Sequence, residues 1–241
     1  MGPAKQTEER TALVTGGTSG IGLAAAEACA ALGMRVAVCS RNIEAVKEQL
    51  NERFFLTACD VRSSEDVERT VRTVFDHFGR IDILINAAGV SMPESLSLED
   101  VPVELWDRIM NTNTRGTFLF CRAVLPLMKA RNAGQIINIL STGAFRSNAN
   151  NAPYSASKYA VRAVNEALME ETRETGIKVS SISPGPVATN IWSHKKRNVT
   201  EEEKSRMTRP EDIGEIVNFL VSRPEYLHID NITVVPKFPK N

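Results

Sequence analysis

Tyr154-Ser155-Ala156-Ser157-Lys158 sets a phenol and an ammonium on one face of any helix that Pro153 opens. A cation near a phenol favours phenolate and lowers a pKa that starts near ~10. Bringing that value to ~7 takes roughly 4 kcal/mol, within reach of a partly desolvated site. A phenol so tuned can give a proton to a carbonyl oxygen or take one from an alcohol near neutral pH. The same spacing also occurs on helices that use it only for packing, so the pair must be judged by what surrounds it.

The second chemical signal is Thr15-Gly16-Gly17-Thr18-Ser19-Gly20-Ile21-Gly22, between an apolar run and a helical segment. Gly16 suits a tight turn, Gly20 a close approach of backbone to a pyrophosphate, and Gly22 close helix–strand packing. Amides at the start of the following helix would face the phosphates. The spacing is G-x-x-x-G-x-G rather than the common G-x-G-x-x-G. A third signal closes the second apolar run, Cys39-Ser40-Arg41-Asn42. An acid there would hold a ribose 2′-hydroxyl; Arg41 instead offers a planar fork for a 2′-phosphate, which favours NADP(H) over NAD(H).

Apolar, β-rich runs alternate with helical patterns along the chain. The expected strands are Thr11–Thr15, Arg35–Cys39, Phe54–Cys59, Ile81–Asn86, Gln135–Leu140, Lys178–Ser183 and Ile232–Val235. The expected helices include Ile21–Leu32, Glu44–Asn51, Glu65–Phe78 and Ala160–Glu174. Continuous apolar runs read as strands buried on both faces, and regular alternation implies a doubly wound α/β sheet with right-handed crossovers. No linker or repeat divides the 241 residues, so one domain spanning 1–241 is expected. A charged segment, Trp192–Arg209, reads as a substrate lid (190–209) or a surface helix.

Composition excludes more than it names. Lys+Arg and Asp+Glu balance at 29 each, which leaves no bulk attraction for nucleic acid or an anionic membrane. No apolar run reaches the roughly 18 residues that span a bilayer, and MGPAKQTEER has no apolar signal-peptide core. Cys29, Cys39, Cys59 and Cys121 are scattered and read as buried free thiols of a cytoplasmic protein. His77, His194 and His228 have no metal-ligand spacing, so no metal is expected.

Taken together, TGGTSGIG, Asn86-Ala87-Ala88-Gly89, Ser141, Tyr154-x-x-x-Lys158 and Pro184-Gly185 resemble the short-chain dehydrogenase/reductase family from Thr11 to about Val235. The resemblance implies a Rossmann-type domain with a central, mainly parallel seven-stranded sheet. It implies Tyr154 as acid/base, Lys158 lowering its pKa and holding the nicotinamide ribose, and Ser141 bonding the substrate oxygen, with Thr142 the neighbouring hydroxyl. It implies Asn113 as the residue that positions a relay water, with Asn111 its rival. Asp60 and Val61 match an adenine-contacting pair, Asn86, Ala87 and Gly89 the loop bordering the adenosine, and Thr189 the residue that holds the carboxamide. Thr18, Ser19, Ile21, Ser40, Pro184, Gly185 and Val187 complete the expected cofactor contacts. Phe145, Arg146, Asn150 and Trp192 are the candidate substrate contacts, in Gly143–Ala152 and Val187–Met207.

The implied activity is NADP(H)-dependent interconversion of a carbonyl and an alcohol. A non-catalytic NADP(H)-binding redox sensor and lyase or epimerase chemistry with a recycled cofactor are the alternatives. Family resemblance also implies a homotetramer or homodimer packed through Asn113–Lys129 and Tyr154–Arg173. Two features depart from the pattern: Ser19 stands where some NADP-preferring relatives carry a basic residue, and Asn231–Pro236 lacks a glycine pair many carry after the last strand.

Overall fold

A computed structural model of the chain describes residues 9–194, 196 and 198–237. Within the charged segment, Lys195, Arg197 and the side chain of His194 lie outside the described residues, as do the first eight residues of MGPAKQTEER.

Seven strands pair in the order β3-β2-β1-β4-β5-β6-β7, every pairing parallel. They are β1 Thr11–Thr15, β2 Arg35–Ser40, β3 Phe55–Ala58, β4 Ile83–Asn86, β5 Gly134–Ile139, β6 Ile177–Pro184 and β7 Asn231–Val234. Each expected strand is present, with ends shifted by a residue or two. The period of two sorts side chains to opposite faces. Ala12 and Val14 of β1 join one apolar layer with Val36, Val38, Ile83 and Ile85, while Leu13 joins the other with Ala37, Leu84 and Ile136. The edge strands differ from the expected burial on both faces, because β3 and β7 each have a neighbour on one side only.

The first layer is covered by α1 (Gly20–Ala31) and by α8 (Pro210–Val221), a helix beyond those expected. The second is covered by α3 (Ser64–Phe78), α5 (Gly116–Arg131) and α6 (Ala152–Thr172). The helix expected over Glu44–Asn51 is a 3₁₀ turn, Glu44–Val46, followed by a single turn α2 (Lys47–Leu50). The helix expected from Asn113 starts later: α4 (Val103–Ile109) runs into a wide π turn, Met110–Arg115, and only then into α5. Such turns re-aim side chains, and Asn113 lies in this one. The charged segment holds a 3₁₀ turn, Asn190–His194, and a short helix α7 (Glu201–Ser205). Thr200 and Glu203 close a capping box at the start of α7.

The order in which strands are added reverses at the β1–β4 pair, which opens a crevice above their carboxyl ends, where α/β proteins bind ligands. The sheet thus brings together residues from every part of the sequence: Gly16 after β1, Arg41 after β2, Asp60 after β3, Ala87 after β4, Ser141 after β5 and Gly185 after β6.

Candidate active site

The β1–α1 turn forms one wall. Gly16 has φ +64 and Gly20 φ +52, left-handed values that disfavour any side chain, and a methyl group on Gly22 would overlap the Gly16 carbonyl. Thr15, the first residue of the glycine motif, braces the turn: its hydroxyl accepts the amides of Ala87 and Ala88, both at 3.1 Å. Ser19 caps α1 without a side-chain hydrogen bond, and the first turn carries no acid. The positive end of α1 therefore faces the crevice unneutralised, which fits an anionic group such as a pyrophosphate. Thr189 is brought against this turn, since a Cβ on Gly20 would meet the Thr189 Cβ at 3.1 Å. Thr18, Ser19 and Ile21 follow the same turn, and Ser19 is exposed.

Beyond the end of β2, exposed Arg41 borders a cavity of about 410 Å³ lined also by Asn42, Ile43, Glu44, Ala45 and Ala58. Ser40 directs its carbonyl to the Cys59 amide at 3.0 Å. Asp60 is gripped by Arg62, with Nη2 to Oδ2 at 2.6 Å; this fork, followed by more distant Arg41, holds its carboxyl below the usual range. Val61 turns inward, where a Cβ on Gly116 would meet it at 2.9 Å, so its side chain packs rather than faces the crevice.

The opposite wall carries the proton chemistry. Pro153 lies in the first turn of α6, and Tyr154 follows. Tyr154 and Ser141 converge just past the end of β5, where a Cβ on Gly143 would sit 3.4 Å from Ser141 Oγ and 3.5 Å from Tyr154 Cε1, and Ser141 Oγ accepts the Gly143 amide at 3.1 Å. Lys158, buried, donates from Nζ to the Ile139 carbonyl at 2.8 Å and stands 5.9 Å from the Tyr154 ring centre. Asn113 is also buried. Its Oδ1 accepts the Val90 amide at 2.8 Å, while Nδ2 donates to the Val90 carbonyl at 3.0 Å and to Ser157 Oγ at 2.9 Å. Gly89 lies against both, because a Cβ there would sit 3.4 Å from Asn113 Oδ1 and 3.9 Å from Lys158 Nζ.

The electrostatics correct one expectation. Burial raises the Tyr154 pKa above its ordinary value, and the Ser141 hydroxyl only partly opposes this. Burial also lowers Lys158, to about 8. The lysine directs its hydrogen bond to the Ile139 carbonyl and not to the phenol, so the chain's own groups leave Tyr154 protonated instead of tuning it down.

Some expected contacts do not point into the crevice. The Asn86 side chain is buried between sheet and helices, donating to Asn138 Oδ1 at 2.9 Å and to Cys121 Sγ at 3.4 Å. The β1 neighbourhood is supported there by the backbone of Ala87 and Ala88 instead. The Val187 side chain is buried, and its carbonyl accepts the Trp192 indole N–H at 2.6 Å. Gly185 donates its amide to Val234 at 2.7 Å, next to buried Pro184, the last residue of β6. Phe145, Arg146 and Asn150 lie on an exposed loop. The Phe145 ring is covered by the Arg162 guanidinium at 4.4 Å, and the Asn150 carbonyl accepts the Leu96 amide at 3.2 Å. His77 stacks on Phe55 and His228 Nε2 meets the Val179 carbonyl, so both imidazoles are taken up by packing and hydrogen bonding.

The short chain dehydrogenase family matches residues 10–200. The chain belongs to that family. This short-chain dehydrogenase is 32% identical to an uncharacterized oxidoreductase of Staphylococcus epidermidis over 96% of this chain and 99% of that protein. Among solved structures, serine dehydrogenase complexed with NADP+ superposes with a TM-score of 0.86 at 28% identity, covering 94% of each chain. A single-residue variant of actinorhodin polyketide ketoreductase with NADPH superposes at 0.84 with 33% identity, over 95% of this chain and 96% of that one. The chain is an oxidoreductase of Rossmann-like fold, and solved relatives of this short-chain dehydrogenase hold NADP(H).

Proposed function

We propose that the protein interconverts a carbonyl and an alcohol using NADP(H), with Tyr154 as the acid/base. One observation carries this reading: the Tyr154 ring and Ser141 hydroxyl converge on Gly143 just past the end of β5, with Lys158 buried nearby. The bound dinucleotide supplies or accepts the hydride. Hydride arrival at a carbonyl carbon develops negative charge on its oxygen, and two hydroxyl donors are then worth most. Ser141 and Tyr154 provide them. Tyr154 passes its proton to the oxygen, and the positive charge of Lys158 stabilises the phenolate left behind. Asn113 holds the Val90 backbone and Ser157, which fixes the floor beneath Lys158.

A phenol kept protonated suits reduction at neutral pH. Alcohol oxidation, which needs the phenolate, gains with rising pH. Reduction loses the help of Lys158 as pH passes about 8. Arg41 is the residue proposed to select the 2′-phosphate, with the amides of α1 beneath the pyrophosphate and Thr189 near the carboxamide.

The reading includes a homotetramer or homodimer. Phe118 of α5 (47% exposed) and Tyr159 of α6 (42%) leave apolar surface on the two helices expected to pack. Light scattering on the purified chain checks this. Four buried free thiols suit a reducing, cytoplasmic setting.

The test of the activity is a panel of ketones, aldehydes and alcohols with NADPH and with NADH, run beside Tyr154→Phe. Turnover that favours NADPH and is lost in the variant is expected. Undiminished turnover by Tyr154→Phe would overturn the mechanism.

A further inference from the structure

Helix α6 carries both Tyr154 and Lys158, yet Ser141 and the Ile139 carbonyl that they must meet belong to β5 and the residues just after it. Their alignment depends on where α6 sits along its own axis over the sheet. Below Lys158 the buried stripe of α6 holds Val161, Asn165, Leu168 and Thr172, and Thr172 turns its hydroxyl back to the Leu168 carbonyl of its own helix. Apolar packing is non-directional, so it fixes depth better than it fixes position along an axis.

One polar side chain of the stripe is bonded to the sheet instead. Asn165, two turns below Lys158, accepts from Asn138 Nδ2 of β5 at 2.9 Å, with both side chains buried. Asn138 is the residue directly before Ile139. The pair belongs to a directed chain. Asn86 Nδ2 of β4 donates to Asn138 Oδ1 at 2.9 Å, and Asn165 Nδ2 donates to Met169 Sδ at 3.2 Å. Sliding α6 breaks the Asn138–Asn165 bond, the one of the three that joins helix to sheet, and leaves its donor and acceptor buried without each other, a cost of roughly 1–3 kcal/mol for each group. Buried polar pairs set register in this way where hydrophobic contacts tolerate several.

We propose that the Asn138–Asn165 pair is a register latch, which positions Tyr154 and Lys158 over Ser141 and the Ile139 carbonyl. Asn165 is thus a positioning residue that acts through β5 and does not touch the reacting atoms. The proposal rests on Tyr154 being the acid/base, and its test separates the two ideas.

The deciding measurement is the phenolate absorbance titration of Tyr154 in the cofactor-free chain, isolated by subtracting Tyr154→Phe from each protein. Asn165→Leu is expected to move that midpoint by about half a pH unit or more toward the ordinary tyrosine value, as the phenol leaves its buried position. Turnover of 2,3-butanedione with NADPH is expected to fall about tenfold in kcat, with KM for NADPH changed less than about twofold. Leu168→Val, which loosens the same helix without touching the latch, is expected to lower Tm while leaving the midpoint in place. Asn165→Ser, shorter but still polar, gives an intermediate midpoint and serves where the leucine variant does not fold. A midpoint in Asn165→Leu and Asn165→Ser equal to wild type, or an equal displacement in Leu168→Val, overturns the latch. Full turnover by Tyr154→Phe overturns the acid/base reading and leaves the titration to decide the latch.

Discussion

Asp82, just below the start of β4, and Lys158, beside the upper end of β5, are both ionisable groups taken out of water, and the fold surrounds them differently. Asp82 receives the Arg80 fork (Nε to Oδ2 and Nη2 to Oδ1, both 2.8 Å), Arg131 Nη2 at 2.8 Å and the Thr11 amide at 2.8 Å. Burial alone would raise its pKa; these four donations outweigh it and hold the carboxyl below its usual range. Lys158 has the Ile139 carbonyl and no carboxylate among the described residues, and burial lowers its pKa to about 8. The lower end of the sheet therefore satisfies its buried charge and gains stability from it. The upper end leaves its charge undercompensated, which costs stability and keeps a cation available for chemistry.

The sharpest way to break this comparison is at the upper end. Tyr154→Phe is expected to reduce turnover by about 10²–10⁴-fold with Tm within a degree or two of wild type, measured by steady-state kinetics and calorimetry. If Tm falls substantially instead, the phenol is structural and the division between the two ends fails. At the lower end the converse is expected. Asp82→Asn loses about 3–5 kcal/mol in urea unfolding, because two guanidinium groups and an amide lose their shared acceptor, while kcat per folded molecule stays at wild type.

Lys158→Met sharpens the contrast by reversing its sign. A fall from the ordinary 10.5 to about 8 corresponds to ~3 kcal/mol that the folded chain gives up to keep the ammonium buried. The variant is expected to unfold at higher urea than wild type at pH 7 and to show almost no turnover. The pH dependence follows from the same linkage. Between pH about 8 and 10.5 the unfolded chain binds more protons at Lys158 than the folded one, so this group's contribution to stability rises with pH across that window. Asp82 gives the same slope in a lower window: its favourable contribution is complete above pH ~4 and is lost as pH falls through its depressed folded value. Urea midpoints across pH, with Lys158→Met removing the upper window and Asp82→Asn the lower, check both windows.

Smaller effects are expected at the rim. Arg41→Ala should raise KM for NADPH about tenfold and leave KM for NADH unchanged, the ~1.4 kcal/mol of one exposed phosphate contact. Arg146→Ala should raise KM for carboxylate-bearing carbonyls a few-fold and leave neutral ketones alone. An equal effect on neutral ketones removes Arg146 from substrate recognition.

The upper end is far more legible in the sequence than the lower. Glycine spacing, Tyr154-x-x-x-Lys158 and Arg41 after β2 are local patterns in which residue type and short-range spacing carry the information. The Asp82 cluster assembles Thr11, Arg80 and Arg131 from three separate stretches, and only the parallel pairing of β1 with β4 and the end of α5 unites them. Asn86 departs from its expected place although the signal is present: with a period of two it shares a face with Leu84, which packs into the layer beneath α5. The expectation of a depressed Tyr154 pKa fails for a different reason. Spacing says that Lys158 is near, but the ammonium's orientation is set by the Ile139 carbonyl, a backbone group that no side-chain pattern reveals. The wide turn at Asn113 is likewise invisible, because it differs from an ordinary helix only in how its backbone bonds close.

The burial of all four cysteines makes the chain chemically quiet toward thiol reagents. Cys29 and Cys121 are held neutral as well, with pKa values pushed up to about 12. A single cysteine introduced at exposed Glu201 on α7 would thus take a maleimide dye almost alone, without a cysteine-free background having to be engineered first. A dye at that site would report directly, by its anisotropy and its energy transfer from NADPH, whether the charged segment travels when cofactor and substrate arrive.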